Sequence, residues 1–473
     1  MLSRWNGYHQ TDRKTKRRRY TESLVHLIYR RSGFNALPMI ALSFLGIILV
    51  GSILLTLPVA SATGHRVAWF DALFTSTSAV CVTGLVVRDT GTTYSLFGHV
   101  VLLLLIETGG LGFMTFATLL FRLLGRGFTM RERMIMRESL NQDDLGGVVN
   151  MVMWVARSAF VVQFLGAVSF SIRFIPIYGV AKGLFFSLFH AVSAFCNAGF
   201  DLFGGGASLT GFSGDVLINL TAIALVVVGG IGFTTVYDIR NKRRFKLFRL
   251  NTKLVLVSYG ALLLTGFVVV LAFEWDNPGT LGPLDPGKKI LAAFFQSVTL
   301  RTAGFNTIDQ AALRDATKLV GGLLMLIGCA PASTGGGIKV TTFALIVLTV
   351  RMVSQGSSSI VVFKRRIDRT MIQRAVAIAF IAIAVAFTDV CVLSLIQPDC
   401  AFLDLYYECV SAVGTVGISA VGTANLRPLA RLLIIVTMYI GRIGPLTMAL
   451  LFMKRQTRAR ELVQYPEDRV MLG

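Results

Sequence analysis

The stretch LDLYYECVSAVGTVGIS, Leu403 to Ser419, decides how this chain folds. It begins like an amphipathic helix, but it soon reaches Gly414, Gly417 and a polar tail. A helix this short cannot cross a bilayer, which needs roughly 20 apolar residues at a rise of about 1.5 Å each. Because apolar sequence lies on both sides, the stretch predicts a short helix and a glycine strand between two membrane-spanning helices.

The rest of the chain is rich in apolar sequence. Of its 473 residues 54% are hydrophobic, and segments such as ALSFLGIILVGSILLTLPVA (41–60) are long enough to span a membrane. A β-barrel would show short alternating strands instead. The sequence therefore predicts an all-α, polytopic membrane protein. The six cysteines have no CxxC spacing, so we expect small buried apolar residues rather than disulfides or a metal site.

The positive charge is clustered beside the ends of the apolar segments. The formal net charge is +21, and most of the 46 Lys and Arg fall in five patches, at 1–31, 122–137, 240–253, 351–374 and 454–460. Positive residues collect on the cytoplasmic side of membrane proteins, so we expect these patches and both termini to be cytoplasmic. We expect the patches to contact anionic lipids and not nucleic acid.

Two motifs recur four times. The first reads SAVCVTG (78–84), SAFCNAG (193–199), VTLRTAG (298–304) and SAVGTVG (411–417). The second reads GGLGFMTF (109–116), GGIGFTTV (229–236), GGGIKVTTF (335–343) and GRIGPLTM (441–448), and each copy leads toward a basic patch. The spacing predicts four repeats of about 110 residues that fill nearly the whole chain.

Each repeat is interpreted as a long helix M1, a short helix P, a glycine strand and a second long helix M2. The M1 helices are expected at about 36–59, 148–175, 253–274 and 372–396, the P helices at 69–81, 183–196, 288–300 and 401–413, and the M2 helices at 95–122, 214–239, 318–350 and 428–453. The predicted divisions are a basic tail 1–35, repeats 36–145, 146–250, 251–368 and 369–455, and a cytoplasmic tail 456–473.

Irregular backbone at membrane depth is tolerated only where it is buried in protein or lines a wet cavity. The P segments are therefore expected to be re-entrant, with their C-terminal ends, which carry a partial negative charge, aimed at one axis. The strands that follow can replace the water shell of a cation with carbonyl oxygens. Close helix packing at the four glycines is the alternative, but it does not explain four matches after segments too short to span.

The quoted motifs TSTSAVCVTGL, HAVSAFCNAGFDLF, QSVTLRTAGFNTID and SAVGTVGIS resemble those of the Trk/Ktr/HKT superfamily of cation transporters over about residues 36–460. The resemblance implies four M1–P–M2 units around one K⁺ pathway and a homodimer. The chain is most similar to the KtrB branch because no extra hydrophobic pair precedes residue 36, whereas TrkH proteins carry one. It implies K⁺ uptake across the bacterial cytoplasmic membrane, Na⁺ stimulation, and a separate cytosolic nucleotide-binding ring of the KtrA/TrkA type.

The resemblance also assigns the selectivity filter, the segment that selects the ion. Its residues are Val82, Thr83, Gly84, Asn197, Ala198, Gly199, Thr302, Ala303, Gly304, Thr415, Val416 and Gly417. Glycine at all four final positions points to K⁺, since serine at the first goes with Na⁺ preference in related plant transporters. We expect transported K⁺ at the filter, Na⁺ as an activator, and no covalent cofactor.

The third M2 is interrupted by LMLIGCAPASTGGGIKV, 324–340. Proline removes a backbone donor, and each glycine costs a helix roughly 1 kcal/mol against alanine. We therefore expect a mid-membrane loop, and the resemblance implies that it is a gate comprising Ala332, Ser333, Thr334, Gly335, Gly336, Gly337 and Lys339. A static kink is the alternative. Arg442 matches a family arginine below the filter, and we expect it either to hold the loop through carbonyls or to pair with Glu107 or Asp389.

Three further charged residues lie close to the predicted pore elements. Asp71 and Asp404, near the starts of two P helices, could attract cations or act as ordinary first-turn charges. Arg301 should point away from the ion path and pair with a carboxylate.

Among other classes, a membrane enzyme is disfavoured because no HExxH, GxSxG or paired-carboxylate signature appears. A receptor or scaffold would not need four matched loops. A Na⁺ carrier or an inverted-repeat symporter remains possible, but these copies run in one orientation.

Overall fold

A computed structural model describes residues 36–112, 115, 118, 132–134, 136, 147–357 and 359–444. The two predicted basic tails, most of the patch at 122–137 and the predicted M2 ends beyond 112 and 444 lie outside the described residues. Within these ranges the protein is mostly helical, as the sequence predicts.

Four helices are long and apolar enough to cross a membrane. They are α1 (Ala36–Thr56), α5 (Val148–Tyr178), α9 (Leu250–Glu274) and α13 (Arg369–Ile396). Each is followed by a short helix in a predicted P position, α2 (Trp69–Val80), α6 (Val180–Phe195), α10 (Pro286–Thr299) and α14 (Phe402–Gly414). These bounds lie within a few residues of those expected from the apolar periodicity.

The M2 positions contain shorter and broken helices. They are α4 (Leu96–Leu111), the pair α7 (Val216–Gly230) and α8 (Phe233–Lys242), the pair α11 (Asp315–Leu326) and α12 (Val340–Ser354), and α15 (Pro428–Ile443). The expected continuous second M2 is wrong, because α7 and α8 meet at 93°. The remaining described elements are the helix α3 (Thr90–Thr93), four single-turn 3₁₀ helices (Pro58–Ala60, Thr210–Phe212, Phe245–Leu247 and Thr423–Asn425) and a hairpin of β1 (Val361–Val362) with β2 (Arg365–Arg366).

Local sequence sets where the M2 helices begin. The side chain of Ser95 accepts a hydrogen bond from the Gly98 amide at the start of α4, and Asp215 does the same for Ile218 in α7. Such caps satisfy amides that have no partner within the helix. Pro428 is the first residue of α15, where its missing N–H and fixed φ are favourable.

The short helices are enclosed by the M2 helices in a cyclic order. Each long helix α1, α5, α9 and α13 packs on the short helix that follows it. In addition α4 packs on α6, α7 on α10, α11 on α14, and α15 returns to α2. The fourth M2 thus closes a ring on the first short helix, and the four glycine strands lie inside it.

Candidate functional site: four glycine strands above a broken helix

The four predicted filter triplets lie together. A Cβ built on Gly84 would be 2.6 Å from the Ala198 carbonyl oxygen, and one on Gly199 would be 2.7 Å from Gly304 Cα. A Cβ built on Gly304 would be 2.8 Å from the Val416 carbonyl oxygen. A Cβ on Gly417 would overlap the Thr83 oxygen and lie 2.9 Å from Gly84 Cα. The backbones therefore touch in the order first, second, third, fourth and first again.

All four glycines require a left-handed backbone, with φ of 97°, 67°, 80° and 91° in chain order. This region favours glycine because it has no Cβ. The glycines also line one cavity of about 330 Å³, together with the residues that follow each strand. The positive φ angles and the shared cavity explain the recurrent glycines better than helix packing does, since none of the four lies within a described helix.

Hydroxyl groups at the ends of the short helices hold the strands. Ser78 accepts a hydrogen bond from the Gly84 amide at 3.1 Å, and Ser411 accepts one from Gly417 at 3.0 Å. Ser193 accepts the Phe200 amide, while Thr299 donates to the Phe305 carbonyl. The sequence reasoning did not assign these four residues. Their signal was present, since serine opens three copies of the first motif.

The expected interruption of the third M2 is present between Leu326 and Val340. The loop folds back on itself, with the Gly328 amide bonded to the Ile338 carbonyl and the Ile338 amide to the Leu326 carbonyl. The Ala330 amide reaches the Gly230 carbonyl at the end of α7. Within the loop, Ala332 and Gly337 have positive φ. The loop therefore joins two broken M2 helices.

The loop also contacts the first residues of two predicted filter triplets. The Gly336 amide donates to Thr415 Oγ1 at 3.1 Å, and Cys329 Sγ lies 3.2 Å from Thr302 Oγ1. A Cβ on Gly335 would overlap Thr302 Oγ1. The first residues of the third and fourth triplets are thus direct contacts of the predicted gate.

Two cations at the loop bind carbonyl oxygens. Lys339 Nζ donates to the Gly335 carbonyl at 2.7 Å. Arg442 donates to the Thr334 carbonyl of the loop and to the Gly109 carbonyl at the end of α4. The Ser333 hydroxyl donates a hydrogen bond to the Ala330 carbonyl within the same loop. Arg442 therefore bridges the loop and the first M2.

The carboxylate partners considered for Arg442 are engaged elsewhere. Glu107 accepts from the Gln163 side chain and the Cys196 thiol, and Asp389 accepts from Thr437.

The expectation that Arg301 pairs with a carboxylate is wrong. Its fully buried guanidinium donates to the Leu324 and Ile327 carbonyls at the end of α11, and no described carboxylate pairs with it. A cation suits the C-terminus of a helix, whose last carbonyls have no partner within the helix.

The two carboxylates left open form ion pairs. Asp71 is buried and binds Arg88 at 2.8 Å and Arg431 at 3.2 Å. Asp404 binds Lys318 at 2.6 Å. The Asp71–Arg431 pair joins α2 to α15, and the Asp404–Lys318 pair joins α14 to α11.

All six cysteines are free, but the expectation of six buried ones is wrong, because Cys391 is exposed and Cys400 is only partly buried. Cys391 lies on the long apolar helix α13, where exposed side chains face lipid.

Comparison with known proteins places this geometry in a family. Residues 39–461 match the family model TrkH, described as a cation transport protein. The chain belongs to the TrkH family of cation transport proteins. It is 42% identical to Ktr system potassium uptake protein B of Bacillus subtilis over 93% of this chain and 97% of that protein. It is 39% identical to the protein of the same name from Vibrio alginolyticus, over 92% of this chain and 94% of that one.

A third relative of this TrkH family member is potassium/sodium uptake protein NtpJ of Enterococcus hirae, at 36% identity over 94% of this chain and 98% of that one. The crystal structure of the potassium transporter TrkH from Vibrio parahaemolyticus has the same fold, with a TM-score of 0.69 at 17% identity, covering 90% of this chain and 86% of that one. These relatives are membrane transporters, so the membrane-enzyme alternative is set aside.

Proposed function

We propose that this chain takes up K⁺ through a pore formed by its four glycine strands, as the pore-forming subunit of a Ktr-type system. The observation that carries the proposal is that four left-handed glycines, from four separate parts of the chain, line one cavity. Relatives named as potassium uptake proteins match over almost their full length.

Selectivity arises from main-chain oxygens. The carbonyl oxygens of Thr83, Ala198, Ala303 and Val416 each lie against the glycine of a neighbouring strand. Such oxygens replace the hydration shell of K⁺, and the C-terminal ends of the short helices add partial negative charge below. A glycine at every final position leaves the path free of side chains.

The loop between Leu326 and Val340 acts as the gate. It lies against the base of the filter and is held by Arg442 from the fourth repeat. A loop without helical hydrogen bonds can rearrange without breaking a continuous helix. Release of Arg442 from the Thr334 carbonyl opens the cytoplasmic exit.

The subunit works as a homodimer in the bacterial cytoplasmic membrane, with both termini cytoplasmic, and binds a cytosolic nucleotide-binding ring. Two of the basic patches support this docking. The Phe245 ring lies 6.0 Å from that of the hairpin residue Phe363, and Lys253 Nζ lies over both rings. They form one aromatic, basic surface that suits an acidic protein partner or anionic lipid headgroups.

Two alternative roles are proposed for Na⁺. Na⁺ activates K⁺ uptake, or the pore also conducts Na⁺. The name of the Enterococcus hirae relative includes sodium, which favours keeping the second candidate. Uptake of labelled Na⁺ in the absence of K⁺ distinguishes the two.

The test is uptake of K⁺ or labelled Rb⁺ into proteoliposomes at fixed Na⁺ and membrane potential, together with growth rescue of cells that lack K⁺ uptake. Gly84→Ser should weaken K⁺ over Na⁺ selectivity about tenfold, which corresponds to about 1.4 kcal/mol, because the ring of carbonyl ligands is disturbed. The built Cβ at this position lies 2.6 Å from a carbonyl oxygen, so the strand must shift.

Gly64→Ser is the matched control. Gly64 also has a positive φ, of 73°, but no atom lies within 4 Å of its built Cβ. Unchanged selectivity in a well-inserted Gly84→Ser protein would contradict the filter assignment. Absence of K⁺ and Rb⁺ flux in the wild-type protein with its partner present would remove the proposed function altogether.

A further inference from the structure

The outer mouth of the predicted pore contains one position that recurs in all four strands. Val86, Asp201, Asn306 and Ser419 each lie two residues after a filter glycine, and all four line the same cavity of about 330 Å³ as the glycines. Only Asp201 among them carries a charge. The ring is therefore electrostatically asymmetric directly above the filter.

Asp201 and Asn306 are the members of this position that carry a carboxylate or an amide oxygen. Asp201 Oδ1 accepts the Phe203 amide at 3.1 Å, a contact within its own loop. Asn306 Oδ1 is buried and has no hydrogen-bond partner among the residues that the structure describes. Carboxylate and amide oxygens are suitable ligands for hard cations.

The neighbouring charges leave Asp201 without a cationic partner in the described part of the chain. Arg88 lines the same cavity, but its guanidinium is paired with Asp71. Asp89 also lines the cavity and accepts hydrogen bonds from Thr92 and the Gly206 amide at 3.0 Å. These donors outweigh burial and lower the pKa of Asp89, which keeps it negative.

Two more titratable groups lie on the short helices packed around the mouth. His190 Nε2 faces the loop from α6 and lies 3.4 Å from the Leu202 amide. Glu408 in α14 accepts from Thr423, another residue of the cavity wall. Among the described residues His190 forms no ion pair with Asp201, and Glu408, itself a carboxylic acid, cannot form one.

We propose that Asp201 is the carboxylate that concentrates cations at the outer mouth and so sets the external K⁺ concentration at which uptake half-saturates. The inference rests on the proposed function. A negative charge in a cavity with low-dielectric walls raises the local concentration of counter-ions.

The experiment measures initial Rb⁺ uptake against external Rb⁺ concentration, in proteoliposomes at low ionic strength. Asp201→Asn should raise the half-saturating concentration about fivefold and leave the maximal rate unchanged. Added impermeant salt should reduce the difference between the two proteins, because salt screens exposed charges.

Asp309→Asn is the matched control. Asp309 makes the same local contact, accepting the Ala311 amide at 2.9 Å, but it is exposed and does not line the cavity. It should behave as wild type. Asp201→Glu keeps the charge and should keep the wild-type half-saturating concentration, which excludes a purely structural effect.

An unchanged half-saturating concentration in Asp201→Asn would overturn the inference. Equal shifts in both Asn variants would also overturn it, since they would indicate a general surface-charge effect. Either result would leave the proposed function intact as long as wild-type flux and the Gly84→Ser selectivity change are observed.

Discussion

The first residue of each filter triplet adopts left-handed backbone although none is a glycine. The φ values are 55° at Val82, 59° at Asn197, 63° at Thr302 and 52° at Thr415. For β-branched residues this conformation is a genuine outlier, and it costs of order 1–3 kcal/mol. Strain of this size persists only where the surroundings fix the backbone. Here the hydroxyls of the short helices and the mutual contacts of the strands supply that constraint.

Arg442 provides the sharpest prediction for a single residue. Replacing it with alanine removes its bonds to the Thr334 and Gly109 carbonyls, so the loop loses its link to the first M2. We expect Rb⁺ flux to rise about fivefold, which corresponds to a loss of about 1 kcal/mol from the closed state. The measurement is uptake per inserted protein.

Arg442→Lys is the comparison, since lysine keeps the charge but cannot bridge two carbonyls with a planar fork. Its flux should lie between those of wild type and Arg442→Ala. If the alanine variant conducts at the wild-type rate, Arg442 does not act as a latch.

Single residues show which parts of the site could be predicted from the sequence and which could not. The glycines were predictable because four copies in register leave few explanations. Ser78 and Ser411 were missed because serine near a helix end has many ordinary roles. Arg301 was assigned the wrong type of partner because a sequence displays charges but not free carbonyls. The end of α11 became visible as a binding partner only in three dimensions.

The M2 segments share a backbone feature that could not be predicted from the sequence. The last glycine of each second motif has a positive φ, at Gly112, Gly232, Gly337 and Gly444. Two described helices end at such a glycine, and α7 and α8 bend there. Glycine in a membrane helix fits close packing as well as a break. Only the third M2, with its added proline, gave enough signal to predict an interruption.

The contact between a filter strand and the gate loop can be tested at Thr415. Thr415→Val removes the acceptor of the Gly336 amide while keeping the side-chain shape. Val82 occupies the equivalent place in the first triplet with the same backbone, so valine fits there. An amide left without a partner costs about 1–3 kcal/mol, and we expect a closed loop destabilised by that amount and a higher Rb⁺ flux.

The double variant with Arg442→Ala serves as the control for this mechanism. If both residues hold the same closed loop, the combined effect should be smaller than the product of the single effects. Thr349→Val, in which the hydroxyl bonds only within α12, should leave flux unchanged. A lower flux in Thr415→Val at normal abundance would contradict the assignment.

At the scale of the whole molecule, the chain closes a ring without any covalent link between its ends. The packing of α15 on α2 joins the last repeat to the first, and Arg431 to Asp71 adds an ion pair at that junction. Lys318 in α11 and Asp404 in α14 make the corresponding pair between the third and fourth repeats. The composition predicted a membrane protein and the repeats predicted the ring, but no sequence feature matched these partners.

The pair of Lys318 with Asp404 should therefore matter for stability more than an ordinary surface pair. The Lys318 side chain is 7% exposed and that of Asp404 is 25% exposed, with 2.6 Å between the charged atoms. Removing one partner leaves a nearly buried charge, so Asp404→Asn should cost about 2 kcal/mol and lower the melting temperature in detergent. Asp285→Asn breaks the exposed pair with Lys288, at side-chain exposures of 75% and 50%, and should leave the melting temperature close to that of the wild type. Lys318→Met combined with Asp404→Leu should recover much of the loss, because no unpaired charge remains. Equal melting temperatures for Asp404→Asn and Asp285→Asn would show that the ring is held by helix packing alone.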